Sequence, residues 1–207
     1  MKFFQKSWYK ILAVLIVAYS LVYGMLIQLP NDVGILDETI RNLFYHVPMW
    51  FTMISLMGAS FGYSIGALQS NSLKKDRTAA AFSEVALVFA AAGLLTGMLW
   101  AKFTWGAFWT PDPKLNGTAI TILIYLAYFV LRGSVDDPEK RLRLSATYNI
   151  FAFVLMLVFI MVLPRLTDSL HPGNGGNPAF GAYDLDNTMR LVFYPAVVGW
   201  ILVGFWM

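Results

Sequence analysis

The chain of 207 residues has no cysteine. That excludes thiolate ligation of a bound metal and covalent attachment of a cofactor through a C-x-x-C-H signature. Charge is scarce too: 13% of residues are charged against 58% apolar, and the mean hydropathy is +0.61. An ordinary soluble domain does not have this balance. No Walker motif is present, so nothing here binds ATP through a P-loop, and the glycine-rich stretch after His171 lacks the lysine and strand-to-helix context of a phosphate cradle. No internal repeat of the kind that builds many transporters is visible. Histidine occurs twice, as His46 and His171.

What is abundant is uncharged length. Ile11 to Asn31, Asn42 to Leu73, Leu115 to Leu131, Leu144 to Pro164 and Leu191 to Met207 carry no charge, and between Thr78 and Ala101 the only charge is Glu84. Each run is long enough for a helix to cross about 30 Å of hydrocarbon. The fold class is therefore an all-α integral membrane protein, a six-helix bundle in one domain over 1–207, with helices near 9–29, 48–69, 79–101, 116–132, 145–164 and 189–207. Lys2, Lys6 and Lys10 precede the first run as in a secretion signal, but the run exceeds a signal core and no small-x-small cleavage site follows it.

Loop charges orient the bundle. Ten cations (Lys2, Lys6, Lys10, Lys74, Lys75, Arg77, Arg132, Lys140, Arg141 and Arg143) fall on the side of the N-terminus, and five (Arg41, Lys102, Lys114, Arg165 and Arg190) on the other. The positive-inside rule then predicts both termini in the cytoplasm. Pro48 is expected to open the second helix, with His46 just above it in an external loop. Gly58, Gly62 and Gly66, at four-residue spacing, read as a stripe for close helix packing. Glu84 is either a functional intramembrane carboxylate or one that reaches water or Arg77 at the cytoplasmic end. The charged segment from Gly133 to Arg143 reads as a solvated turn. Arg165 to His171 reads as a short interfacial helix stopped by Pro172, with the Gly/Asn run beyond it a mobile loop.

The densest feature is the external connection WAKFTWGAFWTPDPKL, from Trp100 to Leu115, with three tryptophans and two phenylalanines. One reading is a thick interfacial aromatic belt. The other is a platform for a planar apolar ligand, because large rings give stacking area at little entropic cost. Topology puts both histidines on the same face as this loop. A planar, iron-bearing macrocycle needs imidazole on its axial positions, aromatic faces against its ring and cations for its propionates. Heme meets that description, with His46 and His171 as ligands, Trp100, Trp105 and Trp109 beside the ring, and Arg41, Lys102, Lys114, Arg165 and Arg190 as the available cations.

At these residues the sequence resembles a known family. TGMLWAKFTWGAFWTPDPKL, with YHVPMWF before it and SLHPG after it, is similar to the tryptophan-rich heme-handling proteins of cytochrome c maturation, and within them to the heme exporter protein C family. The family motif, WG-x-x-W-x-W-D-x-R-L, maps onto Trp105, Gly106, Trp109, Asp112, Lys114 and Leu115. Pro111 replaces a tryptophan, and Lys114 replaces an arginine, a point charge in place of a planar fork. The resemblance implies heme held without a covalent bond at the periplasmic face of the inner membrane, then passed to a membrane-anchored heme chaperone during c-type cytochrome biogenesis. It also implies partnership with the subunits of an ATP-binding cassette transporter and a small single-helix subunit. The expected role is holding and transfer, with no catalytic residue assigned. Two other classes stay open: a cytochrome b-like electron-transfer subunit, which would need histidine pairs inside facing helices, and a small-molecule transporter using Glu84 as proton carrier.

Overall fold

The computed structural model describes residues 7–29, 34–171 and 185–207. In it the chain is all-helical among the described residues, with six stretches long and apolar enough to cross a membrane. Helix α1 spans Trp8–Leu26, and a 3-10 helix over Gly34–Asn42 leads into α2, Leu43–Ser70. Helices α3 (Leu73–Trp105), α4 (Pro113–Gly133) and α5 (Pro138–Leu157) follow. After α5 come a π-helical segment, Val158–Val162, and a last turn, α6, Leu163–Leu166. Helix α7 covers Asn187–Trp206. The charge count over Lys2 and Lys6 and the readings of Pro172 and the Gly/Asn run lie outside the described residues.

Helix α2 is central. It packs along α3 for most of its length and also meets α7, α5 and α1, while α4 closes against α5 and α3. The core on this axis is built from Met49, Met53, Leu56, Met57, Phe89 and Met156, all buried. Flexible thioethers suit the uneven gaps between crossing helices. Near the end where α3 starts and α4 finishes, Arg132 makes a two-pronged ion pair with buried Asp76, at 2.7 and 2.5 Å. Asn149 of α5 donates to Ser60 and Ser64 of α2 at 2.7 and 2.8 Å.

The starts of α3, α4, α5 and α7 lie ahead of the expected helix starts, because polar caps extend these helices beyond the apolar stretch, whereas α1 ends early, at Leu26. Ser72, Asp112, Asp137 and Asp186 each accept a backbone N–H of the first turn. Proline follows directly in Asp112-Pro113 and Asp137-Pro138, where its missing N–H costs nothing. Consequently α3 starts at Leu73 and runs to Trp105, α4 begins at Pro113, and α5 begins at Pro138. The expected Gly133–Arg143 turn shrinks to the residues before Pro138.

Three further expectations are corrected. Helix α2 begins before Pro48, so His46 lies on the helix rather than in a loop. The Gly58/Gly62/Gly66 stripe hosts no close helix contact: nothing lies within 4 Å of a Cβ built on Gly62, and only the Lys75 side chain approaches Gly66 closely. Close approaches occur instead at Gly93, Gly97, Gly117, Gly199 and Gly204. Finally, helix stops at Leu166, and Thr167 is extended at φ −129° and ψ 156°. Residues 167–171 are captured by a tertiary acceptor, which outweighs local helical preference.

Candidate functional site

The site forms where the end of α3, the start of α4, the segment after α6 and the second turn of α2 converge. Because α3 continues to Trp105, Trp100 and Trp105 stand on a rigid rail. Their rings lie 5.5 Å apart, tilted by 56°. Both meet His171 edge-on, at 6.0 Å from Trp100 and 4.8 Å from Trp105. Trp100 Nε1 also donates to Thr39 Oγ1 at 3.4 Å. Gly106 ends α3 at φ +82°, a left-handed conformation that favours glycine. Lys102 closes this end by donating to the Gly106 carbonyl at 3.0 Å, with its ammonium 5.7 Å from the Phe108 ring.

Asp112 organises the next segment. It is 2% exposed, and its Oδ1 accepts the Lys114 N–H and His171 Nδ1, both at 2.8 Å. Its Oδ2 accepts the Ser169 hydroxyl at 2.8 Å and the Leu170 N–H at 2.7 Å. Burial alone would raise the carboxyl pKa. The hydrogen bond and charge of His171, with the Ser169 and Leu170 donors, outweigh burial and hold it well below its ordinary value of 3.8. The carboxylate is therefore an acceptor only, so His171 presents Nδ1–H to it and turns Nε2 the other way. A carboxylate behind an imidazole is the usual second-layer support of a metal-ligating histidine.

His46 faces α3 from the second turn of α2. Its Nδ1 lies 3.0 Å from Thr96 Oγ1, and its Nε2 accepts the indole N–H of Trp50 at 3.1 Å. His171 and Lys114 are close enough to His46 for their charges to interact with it. The structure thus brings together His46, His171, Trp100, Trp105, Asp112 and Lys114.

The other proposed residues are placed differently. Trp109 is 42% exposed and joins none of the described ring contacts around His171. Leu115 is buried as a packing residue. Arg41 is occupied by Glu38 at 2.5 Å and by the carbonyls of Gly24 and Ile27 at 3.0 and 2.9 Å, which caps the end of α1. Arg165 bonds the Met161 carbonyl in the π-helical segment and lies within electrostatic reach of Lys114. Arg190 donates to Asn187 Oδ1 at 3.3 Å. Glu84 is exposed on the outside of α3, twelve residues into the helix, with no ion pair to Arg77 among the described residues. A proton carrier in a bundle interior does not occupy that position.

Sequence reasoning missed Trp50, Thr96 and Ser169. Trp50 was visible in YHVPMWF, and a helix begun ahead of His46 would have put it one turn away at i+4. Thr96 opens the quoted tryptophan-rich stretch, but its role needs the pairing of α2 with α3. Among the described residues, no group of three or more His, Asp or Glu is placed to hold a bare metal ion.

Comparison with known proteins adds an independent result. The family model described as heme exporter protein C matches residues 2–207. A heme exporter protein C of Bradyrhizobium diazoefficiens is 32% identical over 132 residues, covering 64% of this chain and 48% of the relative. One of Paracoccus denitrificans is 27% identical over 163 residues, covering 74% and 63% respectively. A cytochrome c biogenesis protein CcsA of Prochlorococcus marinus is 34% identical over 79 residues, 38% of this chain and 25% of that protein. The matched stretch thus spans about half to under two thirds of the length of the heme exporter relatives.

Proposed function

The chain belongs to the heme exporter protein C family, and from that premise we propose that it holds heme non-covalently between His46 and His171 and hands it to a membrane-anchored heme chaperone in c-type cytochrome biogenesis. The observation that carries this reading is the Asp112–His171 pair set against Trp100 and Trp105, with His171 and Lys114 within electrostatic reach of His46. When bound, heme supplies an iron already held by its macrocycle, so two imidazoles complete the coordination and no larger ligand cluster is needed. Asp112 fixes the tautomer of His171 and aims Nε2. Trp100 and Trp105 offer flat apolar surface and exclude water. Lys114 supplies a positive charge for a propionate, with Arg165 within electrostatic reach of it. Lys102, Arg41, Arg165 and Arg190 each make hydrogen bonds of their own, and Trp109 is exposed.

In this reading the protein sits in the inner membrane with both termini in the cytoplasm and the site on the periplasmic side. It works with heme, the chaperone, the transporter subunits and the small single-helix protein implied by the family. The helical position of His46 is the one feature shared with a cytochrome b-like redox subunit. His171, on an irregular segment at the same end of the bundle, is not. The test is an absorption spectrum of the detergent-purified protein, alone and as His46→Ala and His171→Ala, with hemin added. A Soret band lost or shifted in both variants supports the paired ligands. No heme in the wild-type protein after hemin addition overturns the reading. Heme that stays bound in the presence of the chaperone favours the redox subunit.

A further inference from the structure

We propose that Trp50 is a releasable latch on the lone pair of His46, so that the two imidazoles are held in different states: His171 is set to ligate, and His46 is locked by its own helix. The inference rests on the reading of His46 as an axial ligand.

Hydrogen-bond donors settle the tautomer. An indole N–H can only donate, so His46 Nε2, 3.1 Å from Trp50 Nε1, is the acceptor and carries no proton. The proton of the neutral ring is then on Nδ1, which faces Thr96 Oγ1 at 3.0 Å. Thr96 is able to accept there because its own hydroxyl proton goes back along α3 to the carbonyls of Ala92 and Gly93, at 2.8 and 3.0 Å. Every group in the chain Trp50, His46, Thr96, Ala92 has one consistent role.

The pair is also boxed in on one side. The two rings meet edge-on, 5.8 Å apart, and lie in a trough of α3 made by Gly93 and Gly97. A Cβ on Gly93 would come within 2.8 Å of the Trp50 ring, and one on Gly97 within 2.8 Å of His46 Cε1. Neither ring has room toward α3, so the Nε2 lone pair is freed only when the indole or the imidazole moves away from α3. His171 has no such constraint, since Asp112 holds its Nδ1 and leaves Nε2 without a hydrogen-bond partner among the described residues. A ligand whose lone pair returns to an indole donor on release is suited to a transient hold.

The latch is tested by hemin titration of the full-length protein and by the rate of heme loss to an excess of apoglobin. Trp50→Phe keeps a ring in the trough and deletes the donor. It is expected to retain heme roughly fivefold to tenfold more strongly, the order of one net hydrogen bond. Thr96→Val, which removes the acceptor that aims the ring, is expected to lose heme faster. A purely packing role for Trp50 predicts the opposite sign, so unchanged or weaker retention in Trp50→Phe overturns the latch. Should Trp50→Phe fail to accumulate, benzothienylalanine at position 50, isosteric with tryptophan and lacking the N–H, replaces it with the same expectation. His46→Ala separates the two readings. An altered Soret band there with unchanged retention in Trp50→Phe removes the latch and leaves the ligand. A Soret band identical to wild type removes both.

Discussion

Four donors converge on the Asp112 carboxylate, and a residue that looked in the sequence like one letter of a motif is the anchor of the segment carrying His171. Asp112→Asn keeps the size but removes the charge and one acceptor lobe. It is expected to cost about 1–3 kcal/mol, the scale of hydrogen bonds to a charged group, and to loosen residues 167–171, read as faster amide exchange there. The pH dependence follows from the sign of the shift. A carboxyl held below its unfolded value stabilises the fold fully above that value, 3.8, and the contribution fades as pH falls through the lower folded value. The wild-type segment is therefore expected to stay protected through pH 4 and open only in stronger acid, whereas Asp112→Asn shows the open exchange pattern already at neutral pH. Matching exchange in the two proteins at pH 7 would contradict this role. Composition and topology were enough to put His171 beside Trp100 and Trp105. The hydrogen-bond partners were not legible, since Ser169, Thr96 and Thr39 are ordinary polar residues until the helices fix what they face.

At the scale of elements, the six spans were readable because crossing hydrocarbon demands uninterrupted apolar length, and that demand is written residue by residue. Helix ends were not, because α3 and α5 continue into polar surroundings where Ser72 and Asp137 caps, rather than apolarity, set the boundary. The path of α5 shows a second kind of information that apolar runs lack. A Cβ on Gly117 would stand 2.5 Å from the Phe159 carbonyl, inside the π-helical segment that steers the chain toward His171. Gly117→Ala is expected to destabilise by about 1–3 kcal/mol through overpacking of backbone on backbone, and to weaken heme retention because the displaced segment carries the His171 arm. Gly62→Ala is the control, since open space surrounds that position, and its thermal midpoint is expected to stay at or slightly above wild type. Equal midpoints for the two variants would show that the contact at Phe159 is readily relaxed.

For the whole molecule, three separate stretches of chain supply the site: α2 gives His46, the α3–α4 corner gives the tryptophans and Asp112, and the arm after α6 gives His171. They meet at one end because six crossings alternate direction, which also returns the C-terminus to the end where the N-terminus lies. The basic residues Lys74, Arg77 and Arg132 gather at the end opposite the site, with Arg132 partly neutralised by Asp76. Without Arg132 the count is still nine cations, Lys2, Lys6, Lys10, Lys74, Lys75, Arg77, Lys140, Arg141 and Arg143, against five at the site end, so the orientation argument survives the pairing. Since the native chain has no cysteine, single-cysteine variants report topology without background. Ser134→Cys, in the exposed turn between α4 and α5, is expected to resist a membrane-impermeant maleimide in intact cells and to react after permeabilisation. Ala107→Cys, exposed in the α3–α4 corner, is expected to react in intact cells. The reversed pattern would put the site on the cytoplasmic face, where a donor of heme to an external chaperone has no use for it.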